Sequence, residues 1–154
     1  MNKYNINIPK LCEICGLGIL ISEPVPINGG FLHRMYDVKT EKGHFAVKAL
    51  NPNITAREKA LSNYRFSEII ANRVSEKIKV SCANEYNGSH LQNIDGQYYL
   101  IYNYINGQTI GTDDITIEHS YKMGSILAQI HSTDFSDISS DSDYEEAVTL
   151  IDYE

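Results

Sequence analysis

The chain has no apolar run of about 18 residues, so nothing in it reads as a membrane span. Its first residues, MNKYNINIPK, lack the basic-then-apolar layout of a secretory leader, which makes a cytoplasmic protein the expectation. Cysteine is scarce: Cys12, Cys15 and Cys82 are an odd number and build no disulfide framework. Cys12-x-x-Cys15 has the spacing of half a zinc site or of a redox pair. No second CxxC or CxxH completes it, so the plainer reading is a short helix over Pro9–Cys15, stopped at Gly16 and Gly18. Neither half of the chain carries the basic stripe of a nucleic-acid binder.

The formal charge of −7 is unevenly spread. Residues 134–154 hold eight of the 20 acids and no lysine or arginine, which leaves twelve acids against all 13 bases in residues 1–133. The acidity belongs to the tail. With 154 residues and 42% hydrophobic content, the chain is long and apolar enough for one packed domain, or for a large piece of a bigger fold.

Alternating apolar positions and turn signals predict three strands in a meander. The first covers Ile19–Ile27 and is demoted to an edge by Pro24 and Pro26. Asn28-Gly29-Gly30 turns into the second, Phe31–Thr40, and Glu41-Lys42-Gly43 into the third, His44–Leu50. A helix follows from Thr55, where Thr55-x-x-Glu58 fits a capping box, to about Ile78, with Tyr64, Ala71, Val74 and Ile78 on its apolar stripe. Two further strands are expected at Val80–Tyr86 and Gln97–Ile105, with turns at Asn87-Gly88 and Asp95-Gly96. A second amphipathic helix is expected over Thr116–His131, and a last helical stretch over Tyr144–Tyr153.

Within the third strand, HFAVKAL, Lys48 sits among residues patterned for burial. A desolvated ammonium needs a partner or a ligand. Glu68, at the edge of the following helix's stripe, is the partner the pattern offers. Such a pair would still present ammonium protons to phosphate oxygens. The plainer alternative is that Lys48 reaches solvent and Glu68 is merely exposed. Glycines in the first turn would let backbone amides approach a phosphate, although Asn-Gly is also an ordinary hairpin turn.

Taken in order, FAVKAL, RFSEIIANRVSE, LIYNYINGQTI and MGSILAQIHSTDFS resemble the N-terminal lobe of kinases. The match is to the aminoglycoside phosphotransferase and choline-kinase-like family, over about Ile19–Ser136. The resemblance implies an α+β, protein-kinase-like N-lobe: a five-stranded antiparallel sheet with one long helix packed on it, then a hinge and a further helix. Residues 1–105 would be that lobe, and 106–154 the hinge exit and first helices of a truncated C-terminal lobe. ATP, or GTP, would be the cofactor. Its ring would sit under Ala46 and bond the Asn103 carbonyl and the Ile105 amide, with Tyr102 closing the back of the pocket. Lys48 would hold the α- and β-phosphates, Glu68 would hold Lys48, and the turn at Asn28, Gly29 and Gly30 would lie over the phosphates.

The family's catalytic loop, a His-Gly-Asp run followed by an asparagine, begins at none of the five histidines. Asp134-Phe135-Ser136 looks like a kinase magnesium motif but has no catalytic loop before it, so it reads as linker. The resemblance thus implies a parent enzyme that transfers the γ-phosphoryl group to a small-molecule hydroxyl, with magnesium and acceptor held by the C-terminal lobe. The 154-residue chain alone is expected to be inactive, and its end at TLIDYE, inside a helical pattern, is expected to mark a fragment. A non-catalytic, naturally truncated binding domain is the competing expectation. An isolated lobe would also expose the surface that its partner lobe covers, which invites self-association.

Overall fold

A computed structural model describes residues 3–28 and 32–138. The elements run α1 (Ile8–Ile14), β1 (Val25–Ile27), β2 (Arg34–Thr40), β3 (Gly43–Ala49), α2 (Pro52–Thr55), α3 (Ala60–Ser75), β4 (Gln92–Ile94), β5 (Gln97–Asn103), a 3-10 turn (Thr112–Asp114) and α4 (Ile117–His131). The strands form one antiparallel sheet in the order β1-β2-β3-β5-β4. The expected α+β, five-stranded lobe with a long helix is therefore present.

Strand periodicity divides the sheet's two faces. Phe45, Val47 and Ala49 of β3 join Val38, Tyr99 and Ile101 on one face, where α1 packs through Ile8, Leu11, Cys12 and Cys15. Tyr99 ties α1 down, since its hydroxyl accepts from the Asn7 amide at 2.9 Å and donates to the Asn5 carbonyl at 3.3 Å. On the other face, Leu100 joins Leu50, Ala83 and Leu91 in a second cluster against Leu61 and Tyr64 of α3. Lys48 lies in register with Met35 and Leu100, and Ala46 with Asp37 and Tyr102, all on this second face.

The cysteine helix forms as expected, with Asn7 capping it through the Lys10 amide. Its thiols are buried, and burial raises both pKa values, that of Cys15 to about 11. A thiol kept protonated in a core is a poor nucleophile and metal ligand, so packing is the role the structure assigns them.

Several boundaries differ from the expected ones. The first strand is only Val25–Ile27, with Leu20 making a lone bridge to Thr40. The second strand begins at Arg34 rather than Phe31. Thr55 opens no helix. Asn51 accepts from the Asn53 amide and Pro52 occupies the first turn, so a one-turn α2 forms there and Thr55 ends it. The long helix starts at Ala60 and ends at Ser75, although the Ile78 amide still reaches the Val74 carbonyl.

Val80–Tyr86 is not a strand. Its amides are used singly: Ala83 donates to the Glu68 carboxylate, Asn84 to the Ile101 carbonyl and Tyr86 to Ser89. The sheet's remaining strand is instead β4, Gln92–Ile94, paired with β5 around Asp95-Gly96, whose φ values of 50° and 82° are those a type I′ hairpin demands. Asn87-Gly88 forms a second such turn, at 53° and 74°. Helix α4 starts where expected, capped by a reciprocal box between Thr116 and His119. The expected stretch Tyr144–Tyr153 lies outside the described residues.

Candidate functional site

A groove of about 480 Å³ opens on the second face, lined by Ile27, Met35, Ala46, Lys48 and Ser81 and by residues 102–105. Five of the residues singled out by sequence, Ala46, Lys48, Tyr102, Asn103 and Ile105, thus meet in one place. Asn28 is exposed and follows Ile27. Gly29 and Gly30 lie outside the described residues, as does Phe31.

The far wall of the groove is the segment leaving β5. The Tyr104 amide donates to the His44 carbonyl at 2.9 Å, and the two rings stack at 3.8 Å, nearly parallel. His44 is itself held by Asp37, with Nε2 2.6 Å from a carboxylate oxygen. In an antiparallel ladder the bonding direction alternates from residue to residue. With Tyr104 facing β3, the main-chain groups of Asn103 and Ile105 face away from it. Ile101 shares that direction, and its carbonyl receives the Asn84 amide at 2.7 Å. Among the described residues the Asn103 carbonyl and the Ile105 amide have no main-chain partner. That leaves one acceptor and one donor, two residues apart, at the groove's edge.

Glu68 lies behind this wall. It is 8% exposed and is the one buried charged residue among those described. The expected Lys48–Glu68 ion pair is not formed: no ion pair within 4.0 Å among the described residues joins them. Both carboxylate oxygens are taken by other donors, Oε1 by the Tyr102 hydroxyl at 3.0 Å and Oε2 by the Ala83 amide at 2.8 Å. Burial first, and then the neighbouring Glu68 charge, raise the Tyr102 pKa far above a phenol's ordinary value, so this hydroxyl is a donor.

Lys48 is half-buried in the groove and has a neighbour the sequence did not signal. His33 accepts the Asn51 amide on Nδ1 at 3.0 Å, and its Nε2 lies 2.9 Å from the Tyr64 hydroxyl. Burial, and then the Lys48 charge, lower the His33 pKa and favour the neutral ring. An accepting Nδ1 requires the Nε2–H tautomer, which donates to Tyr64. Nothing in the residues before β2 announces this link between β2, α2 and α3, because it joins positions 31 residues apart.

Asp134 Oδ1 accepts the Ser136 amide at 2.9 Å, and Arg73 grips Asp137 through two nitrogens while also donating to the Asp134 carbonyl. The Asp-Phe-Ser segment is thereby tied to α3 as a turn. Among the described residues no cluster of three histidine, cysteine or acidic side chains is placed to hold a metal ion.

Residues 23–150 match the model of the phosphotransferase enzyme family, over most of the chain's length. The chain belongs to that family. Two solved structures of the kinase domain of Mycobacterium tuberculosis PknI share its fold, at 14% identity and TM-scores of 0.53 and 0.52. Each match takes in 73% of this chain, which spans 46% and 45% of those kinase domains, about half their length. No curated protein matches. Membership makes this a phosphotransferase-like domain on a kinase-like lobe.

Proposed function

We propose that this phosphotransferase-family chain is the nucleotide-binding N-terminal part of an ATP-dependent small-molecule kinase. The observation that carries the reading is the convergence of Ala46, Lys48, Tyr102 and the outward-facing main chain of Asn103 and Ile105 on one groove. A purine presents a donor and an acceptor along one edge, which matches the acceptor and donor left at Asn103 and Ile105. Ala46 leaves room for the ring because its side chain is a single methyl group. Lys48 then holds phosphate oxygens through charge-assisted bonds, in the role this family's strand-three lysine resembles. It moves no proton. Residues 1–105 supply this site, and residues 106–154 begin the part that would receive the acceptor hydroxyl.

Calorimetry on the 154-residue chain tests this. ATP is expected to bind measurably, and Lys48→Ala to weaken it by about tenfold or more, as for the loss of one charge-assisted bond worth about 1.5–3 kcal/mol. No binding by the unmodified chain, or an unchanged affinity in Lys48→Ala, would overturn the reading. The chain alone is expected to turn nothing over, since among the described residues no proton acceptor of the kinase type lines the groove. Release of phosphate from ATP by the purified chain would count against that part of the proposal.

A further inference from the structure

We propose that His44, held by Asp37, is a positioning residue for the ring half of the groove: it anchors Tyr104 by main chain and by ring, and so fixes the aim of the Asn103 carbonyl and the Ile105 amide. The proposal rests on the nucleotide reading above and gives that site a support from two residues outside the groove's lining.

The ladder between β3 and β5 closes at Phe45 opposite Asn103. One further bond, from the Tyr104 amide to the His44 carbonyl at 2.9 Å, extends it. Past that point, among the described residues, residues 105–110 make no main-chain hydrogen bond. Ile105 is 67% exposed, so its own packing does not hold its amide in place. The direction of that donor is inherited from Tyr104. On the other edge of β5, the Asn84 amide covers the Ile101 carbonyl at 2.7 Å and its Nδ2 donates to Asn103 Oδ1 at 2.9 Å. That cover reaches the Asn103 side chain and leaves the main chain open at Asn103 and Ile105.

His44 holds Tyr104 twice. Its carbonyl takes the amide, and its imidazole stacks on the phenol ring at 3.8 Å and 9°. Asp37 sets the imidazole plane, with Oδ1 2.6 Å from Nε2. It reaches because it stands on β2 opposite Ala46, one diagonal step from His44 on the same sheet face. Val38 and Phe45, between them in sequence, point into the core on the other face. A hydrogen bond weakens steeply as its donor turns away, so a Tyr104 free to swing would cost the ring edge its contacts. Lys48 is held within the ladder by Met35 and Leu100 and does not depend on that segment. Losing the anchor should therefore loosen the hold on the ring and spare the hold on phosphates.

NMR titration of the full 154-residue chain with ATP and with adenosine, which lacks phosphates, tests this. His44→Ala is expected to weaken both ligands by the same factor, about fivefold, the scale of one neutral hydrogen bond. The ATP-to-adenosine affinity ratio should therefore hold. His44→Phe keeps a flat ring against Tyr104 and is expected to recover most of the loss. An unchanged adenosine affinity in His44→Ala, a changed ratio, or no recovery in His44→Phe would overturn the proposal. Hydrogen exchange without ligand supplies a second readout: in His44→Ala the Tyr104 amide should exchange faster and the Leu100 amide at its usual rate. An unchanged rate at Tyr104, or faster exchange at both positions, would overturn the anchor. Failure of the unmodified chain to bind either ligand would instead overturn the nucleotide reading.

Discussion

The sheet with α1 and the segment around α4 are both patterned with apolar residues, and they end in opposite environments. Tyr99, Leu100 and Ile101 of β5 are at most 1% exposed, whereas Ile117 and Tyr121 of α4 are 85% and 82% exposed and α4 buries no residue. Its Met123 and Leu127, with Ile110 and Ile115, line an open apolar hollow. Apolar periodicity names the face that could be buried, but a second surface must be there to bury it. The β5 residues have α1 on one side and α3 on the other. The α4 face has no such partner among the described residues, so the same pattern contributes little to the stability of this chain.

Matched truncations would break that comparison if it is wrong. Leu100→Ala should cost about 2–5 kcal/mol, the range for a buried leucine. Leu127→Ala, at 49% exposure, should stay within about 0.5 kcal/mol. Equal shifts of the urea midpoint in the two variants would show that α4 is packed in solution.

A smaller effect is expected where the sheet meets α1. Tyr99→Phe removes the acceptor of the Asn7 amide and the donor to the Asn5 carbonyl. The loss should be about 1–3 kcal/mol, as for a buried group left unpaired. Hydrogen exchange should show it first at the amides of α1, and a change confined to α4 would refute the assignment.

The smallest expected effect is a pH dependence at the His33 link. The folded pKa of His33 is lowered from 6.5, so its contribution to stability is present above the unfolded value and is lost as pH falls through the folded one. Protonation would also take Nδ1 from the Asn51 amide. Thermal melts between pH 7.5 and 5.5 should therefore fall more steeply for the unmodified chain than for His33→Phe. Parallel slopes would show that His33 takes up its proton over the same pH range folded as unfolded, and would refute the lowered folded pKa.

Most of the fold was legible in local chemistry. The meander followed from turn residues and alternation, and Asp95-Gly96 and Asn87-Gly88 turned where their tolerance of positive φ said they would. The misplaced elements failed for equally local reasons that competed with the pattern. Asn51-Pro52 started a helix before Thr55 could, and the amides of 80–86 were drawn to single acceptors rather than to a ladder. The candidate groove was legible too, since Ala46 and Lys48 share a strand face by period and Tyr102 falls opposite Ala46 by register.

The sequence by itself determined the strand order of apolar and polar positions, the turns, the amphipathic helices and the placing of Lys48 on the strand face opposite Val47 and Ala49. Those depend on neighbours within a few residues. Only the tertiary structure decided who holds Glu68. Lysine and phenol were both on offer on that face, and the choice went to the Tyr102 hydroxyl and the Ala83 amide, donors 34 and 15 residues away along the chain. Satisfying a buried carboxylate depends on which donors the packed elements bring within about 3 Å, and no spacing in the sequence records that distance.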